Sequence, residues 1–243
     1  VDDGSTDGTY EAIKSMFTDV HLVKGSGNLF WAGGMRLAWK TAIKTSDFDY
    51  FLLLNDDIIL FPDYFSNIQL IIDTPNSEKA LYSAATMDQK TKEITYGALK
   101  IKRKFPIPRY KKLFPNGNMQ ECDMTNANIL LVSRKITKTI GILDPKYTHV
   151  IADYDYSLRA RKAGFSAYLL PKVHGFCSDD HGNNWAPSSH TLKQRIQYLK
   201  SPKGLAYKEY LFYIKRYFPF YLPVAFILLW LKTFFPSLWN KLK

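Results

Sequence analysis

The chain has 243 residues, 46% of them apolar, and a formal net charge of +11 from 33 Lys and Arg against 22 Asp and Glu. That composition excludes a disordered chain and suits one ordinary domain with an appendage. Two distant cysteines, Cys122 and Cys177, exclude a disulfide framework and a zinc-finger spacing and read as inert thiols.

In chain order, Val1 reads as the last residue of a buried strand, which predicts that one strand–helix unit is missing upstream. Asp2 to Thr9 is dense in turn and N-cap residues. Tyr10, Ile13, Met16 and Phe17 then recur at helical spacing, so a helix starts near Asp7. Val20–Val23 is a short predicted strand, and Lys24–Asn28 a glycine-containing loop. Trp31–Lys44 is a predicted helix. Tyr50–Leu54 is a continuous apolar run, expected as a strand buried on both faces and ending at Asn55-Asp56-Asp57. Pro62–Asp73 follows as a helix with Pro in its first turn. Ala80–Ala85, Glu93–Ile101, Asn128–Val132 and Ala167–Leu170 are further strands. Lys102–Asn118 is a basic, proline-broken loop. Asp153–Ala163 is a helix closed by Gly164. The alternation of strand and helix predicts an α/β fold with a mostly parallel sheet covered on both faces.

Ligands of such sheets bind beyond the carboxyl ends of the strands, and Asp2-Asp3 and Asp56-Asp57 stand at two such ends. Either pair alone is compatible with turn chemistry. Together they repel unless a cation or hydrogen-bond donors lie between them. A hard divalent ion, Mg²⁺ or Mn²⁺, takes one or two carboxylates and completes its shell with substrate phosphates. Asp153 opens a helix, where the dipole favours its ionised form and a base able to accept a proton. Asp155 and Arg159, four apart, can pair on one helix face.

VDDGSTDGT at 1–9, LNDD at 54–57 and ADYDYSLRARKAGF at 152–165 resemble, in this order, family 2 glycosyltransferases of the GT-A fold. The resemblance runs from Val1 to about Gly204. FWAGGMR at 30–36 and DYFLLLNDD at 49–57 are similar to bacterial members that build surface polysaccharides, the rhamnosyltransferase-like type. The resemblance implies an inverting transfer of sugar from a nucleotide-diphosphate donor to an acceptor hydroxyl, with Mn²⁺ or Mg²⁺ as cofactor. It places Asp2 and Asp3 at the nucleotide, with Asp56 at the ribose and Asn28, Gly33 and Gly34 close to the donor. Asp57 falls at the metal, joined by His174 or His181. Asp153 matches the catalytic base, and Asp155 and Arg159 the pair that positions it. The chain departs from the family pattern at Asn55, the first position of the metal motif, and at Ala152, where many relatives have Glu.

Residues 1–204 are thus the expected catalytic domain, and 205–243 a helical appendage. From Lys193 to Lys243 ten basic residues face one acid, Glu209, and Lys100–Lys112 holds seven basic residues and no acid. Tyr217–Leu231 is uncharged but broken by Pro219 and Pro223. As a helix it would reach roughly 22 Å, short of a hydrocarbon core. With Trp230, Phe234, Phe235 and Trp239 it suits an interfacial helix at the cytoplasmic face of the cell membrane, near lipid-linked acceptors. No nucleic-acid-binding motif is present. The competing readings are a sugar-phosphate nucleotidyltransferase, a glycoside hydrolase, and a catalytically degenerate carbohydrate-binding or scaffold fragment.

Overall fold

A computed structural model describes residues 1–178 and 190–241. The central sheet has the order β1 (Tyr50–Leu54), β9 (Ile129–Ser133), β3 (Ala80–Met87), β10 (Ser166–Phe176), β2 (Ile59–Leu60). β4 (Ile94–Tyr96) joins β3, and β7 (Gln120–Glu121) joins β10. A second, three-stranded sheet runs β6 (Arg109–Leu113), β5 (Ala98–Arg103), β8 (Met124–Thr125).

The sheet is mixed, not mostly parallel. Of its strand pairings only β3–β10 is parallel among the described residues. The reason lies in the connection. After β3 the chain meanders through β4 to β8 with no crossover helix, so it re-enters the sheet from the end it left, and β9 must run backwards. β1, β3 and β10 consequently share one direction, and their carboxyl ends meet the amino end of β9 on one rim.

Side chains alternate as the pleat requires. Phe51, Leu53, Leu81, Ala85, Leu130, Val132, Ala167 and Leu169 enter one apolar cluster. Tyr82, Ala84, Ile129, Leu131 and Leu170 enter another, against Tyr64 and Ile68 of α3 (Tyr64–Ile72). β1 is less buried than its composition suggests, with Leu54 exposed, because it lies at the sheet edge.

The helices expected near Asp7 and over Trp31–Lys44 are α1 (Thr9–Met16) and α2 (Phe30–Thr45). Trp39 of α2 packs between Phe51 and Tyr156, with ring centroids at 5.9 and 5.3 Å. No strand forms at Val20–Val23. The one pairing there is a parallel bridge between Asp2 and Lys24. Glu93–Ile101 divides at Gly97 into β4 and β5, and the basic loop proves to contain β6. α4 (Arg134–Ile140) follows β9, and α5 (Ala152–Lys162) starts at the cavity rim.

Beyond α6 (Leu192–Lys200), α7 (Tyr207–Tyr217) and α8 (Leu222–Phe234) lead to α9 (Pro236–Lys241). Tyr213, Ile214, Phe218 and Ala225 lie in the same apolar cluster as α2, β1 and α5. Residues past 204 therefore share the core of the domain they follow. No helix among the described residues is long and apolar enough to cross a membrane.

Candidate active site

At the rim where β1, β3 and β10 end, a cavity of about 550 Å³ opens. Asp56, Asp57 and Asp153 all line it, together with Trp31, Tyr96, Lys112, Phe114, Asn126, Asn128, His149 and Tyr154. The three segments meet because β1 ends beside the start of β9, Leu54 lying opposite Ile129, while α5 begins on the same side. Asn55 is fixed twice: its backbone N–H donates to Asn128 O at 3.0 Å, and its side-chain oxygen accepts from Trp31 Nε1 at 2.7 Å. An amide oxygen at this position accepts the indole N–H without adding a third negative charge.

Asp153 projects from the first turn of α5. Its carboxylate accepts from the backbone N–H groups of Tyr154 at 2.9 Å and Ala127 at 3.3 Å. Burial nevertheless dominates and pushes its pKa up to about 6, against the lowering effect of those bonds and of Asn126. The helix start favours the ionised form, but desolvation moves the midpoint close to neutral pH. The residue before α5, Ile151, has φ 72°, a left-handed conformation that costs a β-branched side chain about 1–3 kcal/mol. The α5 segment is held from behind by the Ser157 hydroxyl, which lies 2.8 Å from Thr125 Oγ1 and accepts from Thr125 N at 3.0 Å.

Asp155 and Arg159 do pair, Nε to Oδ2 at 2.8 Å, but they do not line the cavity. Asp155 is 0% exposed. It also accepts from Arg216 NH1 at 2.7 Å, Tyr217 OH at 2.8 Å and Tyr147 OH at 3.1 Å. Arg159 spends its remaining donors on the carbonyls of Ile140 and Ile142. Two residues beyond the base candidate, helix α7 thus reaches into the same helix.

The first acidic pair has a different setting. Asp3 does not line the cavity. Its carboxylate accepts from the backbone N–H groups of Gly27 and Leu29, both at 2.7 Å, and Phe30 at 3.2 Å, closing the loop that contains Asn28 onto the start of α2. Gly25 permits this approach, because a Cβ there would sit 3.0 Å from Asp3 Cα. Asp2 is buried and accepts from Ser5 N at 2.9 Å. Gly33 packs against Leu29, whereas Gly34 faces open space. Arg36 does not enter the cavity; its guanidinium donates to the carbonyls of Asp144 and Tyr147.

Among the described residues no group of three or more His, Cys, Asp or Glu side chains gathers as a metal cage. His174 is 2% exposed, lies edge-on to Tyr64 at 5.4 Å and does not line the cavity; burial lowers its pKa. His181 lies outside the described residues. Asp57 is approached by the Cys177 thiol at 3.6 Å, and Asn128 Nδ2 lies 3.8 Å from that sulfur. Asp56 and Asp57 form no ion pair among the described residues, so their oxygens suit a hard cation whose remaining ligands come from substrate phosphates. His149 and Tyr96 are neighbours that sequence reasoning missed, and Cys177 and Lys112 were noted there without a role at the site. Only His149, four residues before Asp153, had a positional signal.

Comparison with known proteins adds to this geometry. Among solved structures, the chain is similar to GalNAc-T7 crystallised with UDP, GalNAc and Mn²⁺, at 12% identity and a TM-score of 0.56, over 81% of this chain and 40% of that one. It spans less than half the length of that relative, and the likeness at this identity is one of fold. A weaker likeness is to A197 from STIV, at 12% identity and a TM-score of 0.41, over 69% of this chain and 84% of the other. No curated protein matches the chain significantly. The profile of glycosyl transferase family 2 matches residues 1–138, more than half of the chain and including Asp3 and Asp57. With a mixed sheet, flanking helices and carboxylates at its rim, the chain belongs to glycosyl transferase family 2.

Proposed function

We propose that the protein is an inverting glycosyltransferase that takes its sugar from a nucleotide-diphosphate donor and acts in bacterial cell-surface polysaccharide or lipopolysaccharide synthesis. The observation that carries this reading is that Asp57 and Asp153 line one cavity, with Asp153 raised to about 6. A carboxylate with that pKa is ionised at neutral pH yet basic enough to accept a proton. Asp153 takes the proton of the acceptor hydroxyl, and the acceptor oxygen forms its bond to the sugar C1. The bond from C1 to the diphosphate oxygen breaks on the opposite face, the electron pair leaving with the diphosphate. Asp56 and Asp57 hold the donor end of the cavity. Mn²⁺ or Mg²⁺, when bound at Asp57, supplies positive charge to the leaving diphosphate. Asp3 and Asp2 support the donor indirectly, by ordering the Asn28 loop and the start of α2.

The likeness to a UDP- and Mn²⁺-bound transferase makes UDP the first carrier to try. A lipid-linked acceptor belongs to the same reading, and peripheral contact of residues 205–243 with the inner face of the cell membrane is proposed beside it. Calorimetric titration with UDP should show binding in Mn²⁺ that weakens at least tenfold in EDTA. Failure of UDP, dTDP, GDP, ADP and CDP alike to bind in either condition sinks the transferase reading.

A further inference from the structure

Two basic segments that lie far apart in sequence meet in space. The Phe105 ring, at the tip of the β5–β6 hairpin, packs edge-on against Phe220 at 5.8 Å, and Tyr110 packs against Phe218 at 6.0 Å. In spite of this contact Phe105 stays 64% exposed and Phe220 78%. The apolar surface continues along α8, where Val224, Ile227 and Phe234 recur at helical spacing on the outer side, Ile227 being 60% exposed. Ala225, Leu229 and Thr233 turn inward. Exposed apolar side chains gathered on neighbouring elements in this way mark an interaction surface.

Its surroundings identify the partner. Lys102, Lys104, Arg109 and Lys111 are exposed on the hairpin, and Lys215 at the end of α7; none forms an ion pair among the described residues. The hairpin has no acid to balance them. Glu209, the one acid of the tail, accepts the backbone N–H of Thr148 at 3.0 Å. A second copy of this chain would bring an equally positive patch, which like-charge repulsion disfavours. An anionic lipid surface supplies both the apolar depth and the opposite charge.

We propose that the hairpin tip, residues 102–109, and the tail, residues 219–234, form one surface that seats on an anionic bilayer without crossing it. The hairpin is what joins this surface to the chemistry. β6 runs from Arg109 beside the patch to Leu113 in the cavity wall, about 13 Å at the rise of a strand. An acceptor carried on a lipid would thus meet Asp153 just above the head groups. This last step, unlike the seating itself, rests on the transferase reading.

The test is co-sedimentation of the full chain with phosphatidylcholine vesicles and with vesicles containing phosphatidylglycerol, at low and high salt. Binding should require phosphatidylglycerol and weaken in salt. Lys102→Ala with Lys104→Ala should weaken it about 30-fold, and Phe105→Ser should also weaken it. Equal binding by these hairpin variants and the wild type overturns the proposal. So does a wild-type chain that ignores vesicles but sediments as a dimer dispersed by Phe220→Ser. Hydrolysis of soluble UDP-N-acetylgalactosamine and dTDP-rhamnose is measured on the same proteins. A wild type that binds vesicles but turns over neither donor, and binds none of UDP, dTDP, GDP, ADP and CDP, breaks the transferase reading and leaves the seating intact.

Discussion

Asp153 and Asp155 stand two residues apart on one helix and have opposite fates. Asp155 is fully buried, yet two arginines and two tyrosine hydroxyls surround it, so its carboxylate is held by paired donors. Asp153 faces a cavity, accepts from backbone and amide donors and forms no ion pair among the described residues, and burial lifts its pKa to about 6. The lesson is that depth alone does not decide whether a carboxylate is reactive. What decides is whether the protein supplies counter-charge along with the burial. One group is saturated and structural, and the other is left wanting a proton.

Four outcomes would break or sharpen that contrast. The largest is expected from Asp153→Asn, which removes the proposed base and should lower sugar transfer by about 10²–10⁴-fold. In the wild type, transfer should rise with pH through about 6 and then level off, as Asp153 loses its proton. A flat profile between pH 5 and 8 would assign the proton to another group. Next is Asp155→Ala, which strands Arg159 without a counter-ion, leaves Arg216 only Asp144, and should cost about 3–5 kcal/mol in urea unfolding. A loss below about 1 kcal/mol would show the network to be ornamental.

The smallest effect has the opposite sign. A carboxyl whose folded pKa exceeds its unfolded value destabilises the native state when ionised. The penalty is fully present above about pH 6 and fades as pH falls toward 3.8. Asp153→Asn should therefore raise stability at pH 7 by about 1–3 kcal/mol, and the gain should vanish near pH 4. Asp155→Asn should show no such gain. Thermal unfolding of both variants at the two pH values checks this.

Much of the frame was legible in the sequence, because helical spacing at Trp31–Lys44 and Asp153–Ala163 and the apolar run Tyr50–Leu54 are local signals. The motifs located Asp57 and Asp153 for the same reason. Strand direction was not legible: Ile129–Val132 reads alike forwards and backwards, and only the path of the preceding meander reverses it. β10 was foreseen only to Leu170 because Pro171 interrupts the pattern. The strand continues past it through register shifts between Leu169 and Gly175. The hairpin was hidden by its lysines, which look like loop. The closure of Asp155 by Arg216 and Tyr217 joins residues about sixty apart, and no local pattern encodes it.

The hydrogen bond from Trp31 to Asn55 has one more consequence. It fixes an indole in the cavity wall beside Asp56 and Asp57, within a polar setting that a bound donor would reorganise. The protein therefore carries a fluorophore at the mouth of its own site, so occupancy of the cavity can be read optically without any label.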